Sequence, residues 1–191
     1  MARRKITFDQ GEYYHVYNRG VNRQPIFRCD DNYVFLLQRV KRYIAQWQIV
    51  VIAYCLMPNH YHFVLLQAGE HSISCFMQSL FNSYTKAFNK MYDRSGTLFE
   101  GPFRAAHVTD DVYLLHLCRY VHLNSLEAGL VADLCAWPYS NYLGWIGQCN
   151  GTLVDREFVK SHFPTIAEYI QFVADYAPPK KIADAIRKIE M

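Results

Sequence analysis

Met57-Pro58-Asn59-His60-Tyr61-His62-Phe63-Val64-Leu65-Leu66 is the stretch on which the reading of this chain turns. Pro58 and Asn59 mark a turn, and the apolar run that begins at Tyr61 has the content of a strand. Side chains on a strand repeat with a period of two, so His60 and His62 project from one face and can chelate one divalent ion. The almost wholly apolar residues 47–56 precede the turn and read as the partner strand of a hairpin.

The pattern continues on both sides of that hairpin. Upstream, residues 13–17 are aromatic and β-branched and end at Asn18-Arg19-Gly20; Asp30-Asp31 then opens a helix in which Val34, Leu37, Val40 and Ile44 recur at helical spacing. Downstream, residues 72–92 form the longest helix, with a buried stripe of Ile73, Phe76, Met77, Leu80, Phe81, Tyr84, Phe88 and Met91, broken by Gly96. After Gly101-Pro102, residues 103–108 are short and strand-like. Thr109-Asp110-Asp111 supplies capping side chains for a helix of about 15 residues. Its core face is Leu114, Leu117, Cys118 and Val121, with Tyr113, Tyr120 and Asn124 along the edge.

The order β-α-β-β-α-β-α predicts an α+β, ferredoxin-like (split βαβ) antiparallel sheet with helices on one face, a second covered face remaining open. Residues 1–132 hold this unit, and residues 133–191 read as a small helical C-terminal appendage, a candidate DNA-binding element. The appendage starts with the turn-rich Trp137-Pro138-Tyr139-Ser140-Asn141-Tyr142. Two short helical patterns follow, one with Ile166, Tyr169, Ile170 and Val173, the other with Ile182, Ala185, Ile186 and Ile189.

With 191 residues, 51% of them hydrophobic and 16% aromatic, the chain can bury a sizeable core, which excludes a disordered class. It has no run of about 18 apolar residues and no apolar segment after Arg3-Arg4-Lys5, so neither a membrane span nor a secretory signal is expected, and a cytoplasmic location is. The six cysteines lack any Cys-x-x-Cys pairing and read as reduced, mostly buried thiols. A net charge of +3 is too small to announce a nucleic-acid binder, but residues 1–42 carry nine Lys/Arg against four Asp/Glu. Arg19, Arg23 and Arg28 fall together there as a candidate phosphate patch, against the plain alternative of a solvated basic loop.

Tyr120 and Asn124 sit four apart in the helical pattern and share a face. Two neutral imidazoles and the amide oxygen of Asn124 make an open ligand set for a divalent ion, which polarises a phosphoryl oxygen. A phenol ionises near pH 10 in water, so Tyr120 needs such an ion or an electropositive cleft to attack phosphorus. The product is a covalent phosphotyrosine, and strand transfer is split into two reversible steps.

The block from Met57 to Leu65, followed by Arg119-Tyr120-Val121-His122-Leu123-Asn124-Ser125-Leu126-Glu127-Ala128-Gly129-Leu130-Val131, resembles the single-tyrosine HUH (His-hydrophobic-His) transposases, above all the REP-associated tyrosine transposases. Tyr14-His15-Val16, Asn18-Arg19-Gly20, Tyr84 with Phe88-Asn89, and Gly96 through Phe103-Arg104 support the match. The resemblance implies a ferredoxin-like fold and a Mg²⁺- or Mn²⁺-dependent nuclease and strand transferase acting on single-stranded DNA near imperfect hairpins, as monomer or homodimer. It implies His60, His62 and Asn124 as metal ligands and Tyr120 as the nucleophile that forms a 5′-phosphotyrosine and releases a 3′-hydroxyl. The chain departs from the family's usual Asn-Pro-Val-Arg-Ala after the tyrosine: an arginine is lost and Glu127 gained, while the catalytic set stays intact.

Two other classes stand beside this reading: a non-catalytic ferredoxin-like module that stacks bases, and a metal-dependent hydrolase that uses water in place of tyrosine. Arg104 in the short strand and Lys86 on the long helix are further candidate DNA contacts, with a solvent-facing charge the preferred reading of Lys86. His15 reads as a DNA contact or, preferentially, as a structural group held by a buried hydrogen bond. His107, His116 and His122 have no telling spacing and read as incidental.

Overall fold

The computed structural model describes residues 6–175. Four antiparallel strands, β1 (Tyr13–Arg19), β2 (Ile49–Met57), β3 (His60–Gln67) and β4 (Arg104–Val108), form one sheet in the order β2-β3-β1-β4. Helix α1 (Asp30–Trp47) joins β1 to β2, and α2 (Ile73–Met91) joins β3 to β4, which completes the ferredoxin-like α+β pattern. Tyr14, Val16, Tyr61, Phe63 and Leu65 point to α1 and α2 and form the first core with them. The expected hairpin is present, with Met57 opposite His60. Trp47 closes α1 instead of opening the strand, because Gln48 takes the left-handed conformation (φ 52°) and its N–H caps Ile44 O.

The sheet's other face is covered as well. Helix α3 (Asp111–Glu127), capped by the Asp110 carboxylate on Tyr113 N–H at 2.7 Å, packs on it with Ile52, Ala53, Cys55, Met57 and Val64. Helices α4 (Tyr142–Trp145), α5 (Arg156–His162) and α6 (Ile166–Ala174) share this second core through Trp145, Phe158, Phe163, Tyr169 and Val173. Sandwiched between sheet and C-terminal helices, α3 is buried without interruption from Leu117 to Ser125, far beyond the single stripe that its apolar residues predict. Helices α4 and α5 were not legible as separate patterns; with four and seven residues they are too short to show a period.

One irregularity in β2 ties these layers together. The register slips between Val51 and Ala53, leaving Ile52 as an extra residue in the strand. Its carbonyl, lost to the ladder, accepts from Asn141 Nδ2 (2.8 Å) and Trp145 Nε1 (3.0 Å). Asn141 also donates to Leu153 O, while its oxygen accepts from Tyr54 N–H and faces His122 Nε2 at 2.8 Å. His122 in turn meets the Tyr169 hydroxyl. The histidine expected to be incidental is thus a buried hub between α3, β2 and α6.

Other expectations are corrected. Met91, assigned to the buried stripe of α2, is 53% exposed because the helix ends there. Only Cys55 and Cys118 are buried; Cys29 is exposed and the other three are intermediate. Among the described residues no helix is long and apolar enough to cross a membrane. The expected helix around Ile182 and Ile186, with Lys180-Lys181 and Arg187-Lys188, lies outside the described residues.

Candidate active site

Paired residues on neighbouring strands point to the same side of a sheet, so the register sets out the site rung by rung. On the face toward α3, one rung runs Met57, His60, Arg19, and the next runs Cys55, His62, Tyr17, Arg104. Above them α3 contributes Tyr120 and Asn124, and the four strands and this helix enclose a cavity of about 380 Å³. His60, His62, Tyr120, Asn124, Arg19, Arg23 and Arg104 all line it, together with Tyr17, Asn59, Glu100 and Glu127. Lys86 is elsewhere, on α2 across the sheet, lining a groove with Asn82, Thr97 and Phe103. Arg28 is also apart, its guanidinium lying over the Phe88 and Tyr92 rings.

The hydrogen bonds fix which atoms face the cavity. Asn59 Nδ2 donates to Arg23 O (3.4 Å), which turns its oxygen to His60 Nδ1 at 2.7 Å, so the His60 proton sits on Nδ1. Asn124 Nδ2 donates to Tyr120 O (3.0 Å), which turns its oxygen to His60 Nε2 at 3.4 Å. Two lone pairs therefore confront each other with no proton between them, an arrangement that a shared cation resolves. Two ligands each about 2.1 Å from one ion stand about 3.0–3.4 Å apart, so the separation fits a divalent cation held by both. Among the described residues no three His, Cys, Asp or Glu side chains converge on a metal position, and the third donor here is a carboxamide.

Burial keeps the imidazoles neutral, the charge state that ligation requires. It lowers the His60 pKa, with Arg19 acting in the same direction and the Asn124 oxygen opposing. Burial lowers His62 well below the usual histidine value, helped by the neighbouring His15 and His60. The Tyr120 ring stands edge-on to His62, centroids 5.6 Å apart, and is 3% exposed. A single chain therefore brings the tyrosine and both histidines to one cavity.

The rim is positively charged but internally balanced. Arg19 forms a two-pronged ion pair with Glu100, through Nε to Oε2 and Nη2 to Oε1, and Arg19, Arg104 and Arg23 hold the Glu100 carboxyl below its ordinary pKa. The Asn18-Arg19-Gly20 segment is built for this contact. Asn18 Nδ2 donates to Gly101 O (2.9 Å), and Gly20 passes so close to Gln24 that a Cβ would lie 2.1 Å from its carbonyl oxygen. Asn22 and Arg23 then take positive φ angles of 54° and 56°, a tight turn that returns Arg23 to the cavity.

The place of Glu100 in the site escaped the sequence reading, whereas for His15 the preferred reading, a structural group held by a buried hydrogen bond, holds and only its partner went unseen. Glu100 comes from the loop before β4, and nothing in its own neighbourhood links it to Arg19. His15 is fully buried, and its Nε2 lies 3.0 Å from His62 Nδ1. Its parity on β1 was the available signal, since a residue two before Tyr17 shares the face of Tyr17.

Comparison with known proteins bears on the family and the fold. A family model described as IS200-like transposase matches residues 10–124, a span that opens just before β1 and closes on Asn124. Among solved structures the chain is similar to a REP-associated tyrosine transposase bound to a REP hairpin, with TM-score 0.66 and 15% identity over 81% of this chain and 94% of that one. At that identity the likeness establishes the fold. A fainter likeness, with TM-score 0.43 and 15% identity over 63% of this chain and 95% of the other, is to a crystal structure from Deinococcus radiodurans R1 assigned provisionally as a transposase. No curated protein matches. Matched over more than half its length, from β1 to the last residue of the candidate ligand set, the chain belongs to the IS200-like transposase family.

Proposed function

We propose that this transposase is a metal-dependent single-stranded DNA endonuclease and strand transferase that acts at hairpin-associated sites through a 5′-phosphotyrosine on Tyr120. The observation that carries the reading is the meeting of His60, His62, Asn124 and Tyr120 around one cavity, with the His60 and Asn124 lone pairs opposed across 3.4 Å. His60, His62 and Asn124 would hold Mg²⁺ or Mn²⁺, which supplies a Lewis acid for a phosphoryl oxygen and a countercharge for the leaving oxygen.

The chain's own groups do the rest. Arg19, Arg23 and Arg104 at the rim bind the phosphates beside the scissile one and set the strand's register. Lys86 is no part of that grip, since α2 puts it across the sheet. Tyr120, in the buried part of α3, presents its oxygen to the phosphorus of its own chain's site. The bond from the tyrosine oxygen to phosphorus forms as the bond from phosphorus to the 3′-oxygen breaks; the phenol gives up its proton and the departing 3′-oxygen takes one. The phosphodiester bond energy stays in the phosphotyrosine, so a second 3′-hydroxyl can reverse the step onto a new strand. The REP hairpin bound by the similar transposase supports a hairpin next to the cleavage point as the substrate's landmark.

The test is cleavage of a labelled single-stranded hairpin library with Mg²⁺ or Mn²⁺, comparing the wild type with Tyr120→Phe, which keeps the ring and removes the oxygen. A covalent protein–DNA adduct that EDTA abolishes and Tyr120→Phe lacks is expected, with cleavage lowered at least about a thousandfold, roughly 4 kcal/mol of barrier. Equal cleavage by both proteins would replace the tyrosine with water as nucleophile. Binding without cleavage by either would leave a nucleic-acid-binding module.

A further inference from the structure

His15 and His62 meet edge to edge. Their rings lie within 8° of one plane, with centroids 5.1 Å apart, and the only polar contact between them is the 3.0 Å approach of His15 Nε2 to His62 Nδ1. Tyr17 lies nearly parallel to both rings, at 4.9 Å from His15 and 5.8 Å from His62. One proton occupies this contact, and its owner decides what His62 can do. If His62 Nδ1–H donates, His62 Nε2 keeps a lone pair for the cavity. If His15 Nε2–H donates, His62 carries its proton on Nε2 and cannot ligate.

Metal-bound histidines usually have the outer nitrogen held by a carboxylate or carbonyl, groups that only accept and so leave one tautomer. An imidazole in that place can donate or accept. The far nitrogen of His15, Nδ1, is buried with no hydrogen-bond partner. When His15 accepts from His62, its own proton must sit on that nitrogen, as a buried N–H with nothing to receive it. When His15 donates, Nδ1 carries only a lone pair and the His62 N–H faces the cavity, so both N–H groups are satisfied.

We infer that His15 is a positioning residue for the metal site: it holds His62 in the non-ligating tautomer while the cavity is metal-free and yields to the ligating one when a divalent ion binds. The change moves His62's proton from Nε2 to Nδ1 and His15's from Nε2 to Nδ1. Each ring stays neutral, and no proton is gained or lost overall. The inference rests on the proposed metal site and adds to it a resting state in which His62 is locked away from adventitious ions.

The first readout needs no DNA. In wild type labelled with ¹⁵N-imidazole, NMR should find His62 protonated at Nε2 without metal and at Nδ1 with Mg²⁺. The second is calorimetric titration with Mn²⁺. His15→Leu, which strands the His62 Nδ1–H in the metal-bound state just as the wild type strands the His15 Nδ1–H, should stay within about threefold of wild-type affinity. His15→Gln, whose carboxamide oxygen accepts that proton, should stay within about threefold of wild type. A His62 already protonated at Nδ1 in the metal-free protein, or a folded His15→Leu that loses about 10–100-fold in Mn²⁺ affinity as it would on removal of a group that always favours ligation, overturns the inference and leaves the metal site standing. A wild type that binds no Mn²⁺ overturns the metal site itself. Should both variants fail to fold, the wild-type NMR result decides.

Discussion

Lowering the pH from 8 to 5 should remove about 4 kcal/mol from the stability of the metal-free protein. The cause is a set of histidines folded away as neutral rings. Burial pushes His15 down to about 3, and it pushes His122 down to about 4 in spite of the Asn141 oxygen that favours its charged form. In the unfolded chain both take up a proton near pH 6.5. Their contribution is therefore complete above that value and falls as the pH drops, until the folded rings themselves protonate near 4 and 3. Each costs about 1.4 kcal/mol per pH unit within that window, or about 2 kcal/mol by pH 5. His62 is shifted in the same direction and adds to the loss. Glu100, held down by Arg19, becomes a source of acid lability only below the ordinary carboxylate range, so the interval from 6.5 to 5 isolates the imidazoles. Against a total of roughly 5–15 kcal/mol for a domain, the effect is easily resolved. Urea unfolding at pH 8, 7, 6 and 5 in EDTA gives the slope, which should correspond to at least about two protons taken up on unfolding near pH 5.5. A slope equivalent to fewer than one proton would refute the buried, neutral state of these rings.

Two further outcomes follow from the contacts around the site. Asn141→Ala strips partners from Ile52 O, Leu153 O, Tyr54 N–H and His122 in one step, and should cost about 3 kcal/mol; a thermal or urea midpoint close to wild type would mean that these bonds are replaceable. Glu100→Gln releases Arg19 from its ion pair to meet a phosphate, so single-stranded DNA affinity at low salt should rise about three- to tenfold, with a salt dependence steeper by about 0.7 in the log–log slope. Unchanged or weaker binding would mark Glu100 as a group that orients Arg19 toward DNA.

The parts of the molecule that announced themselves in the sequence are those whose geometry is local. His60 and His62 share a face because they are two apart on a strand, and Tyr120 and Asn124 look into the same cavity because they are four apart on a helix. The βαββαβ order emerged from element periods and turn residues alone. What stayed hidden depends on which segments become neighbours. His15 reaches His62 across 47 positions through the β1–β3 register, and His122 is buried by Asn141 and Tyr169, 19 and 47 positions further on. Isolated histidines carry no spacing, so the hub at His122 was indistinguishable from a surface residue. Likewise, α3 appeared one-sided because its second side is covered by α6, whose own periodicity says nothing about where it docks. Met91 misled for the opposite reason: helical spacing continues to the final turn, but burial stops where the neighbouring helix does.

The wrapping of α3 has a temporal side when the chain emerges from the ribosome. Of the buried residues of the sheet's first core, all but Leu153 have been made once β4 is finished, since α1 and α2 precede it. The partners of α3's outer side, Asn141 and Tyr169 for His122 and the Phe172 carbonyl for the buried Arg119 guanidinium, come later. At about 5–20 residues per second, Tyr120 precedes Tyr169 by roughly 2.5–10 seconds of synthesis. A nascent chain halted just before Tyr169 already contains Tyr120, His60, His62, Asn124 and Asn141, but not the α6 groups that hold α3 from its outer side. Seating of Tyr120 is thereby deferred until nearly the whole described chain exists.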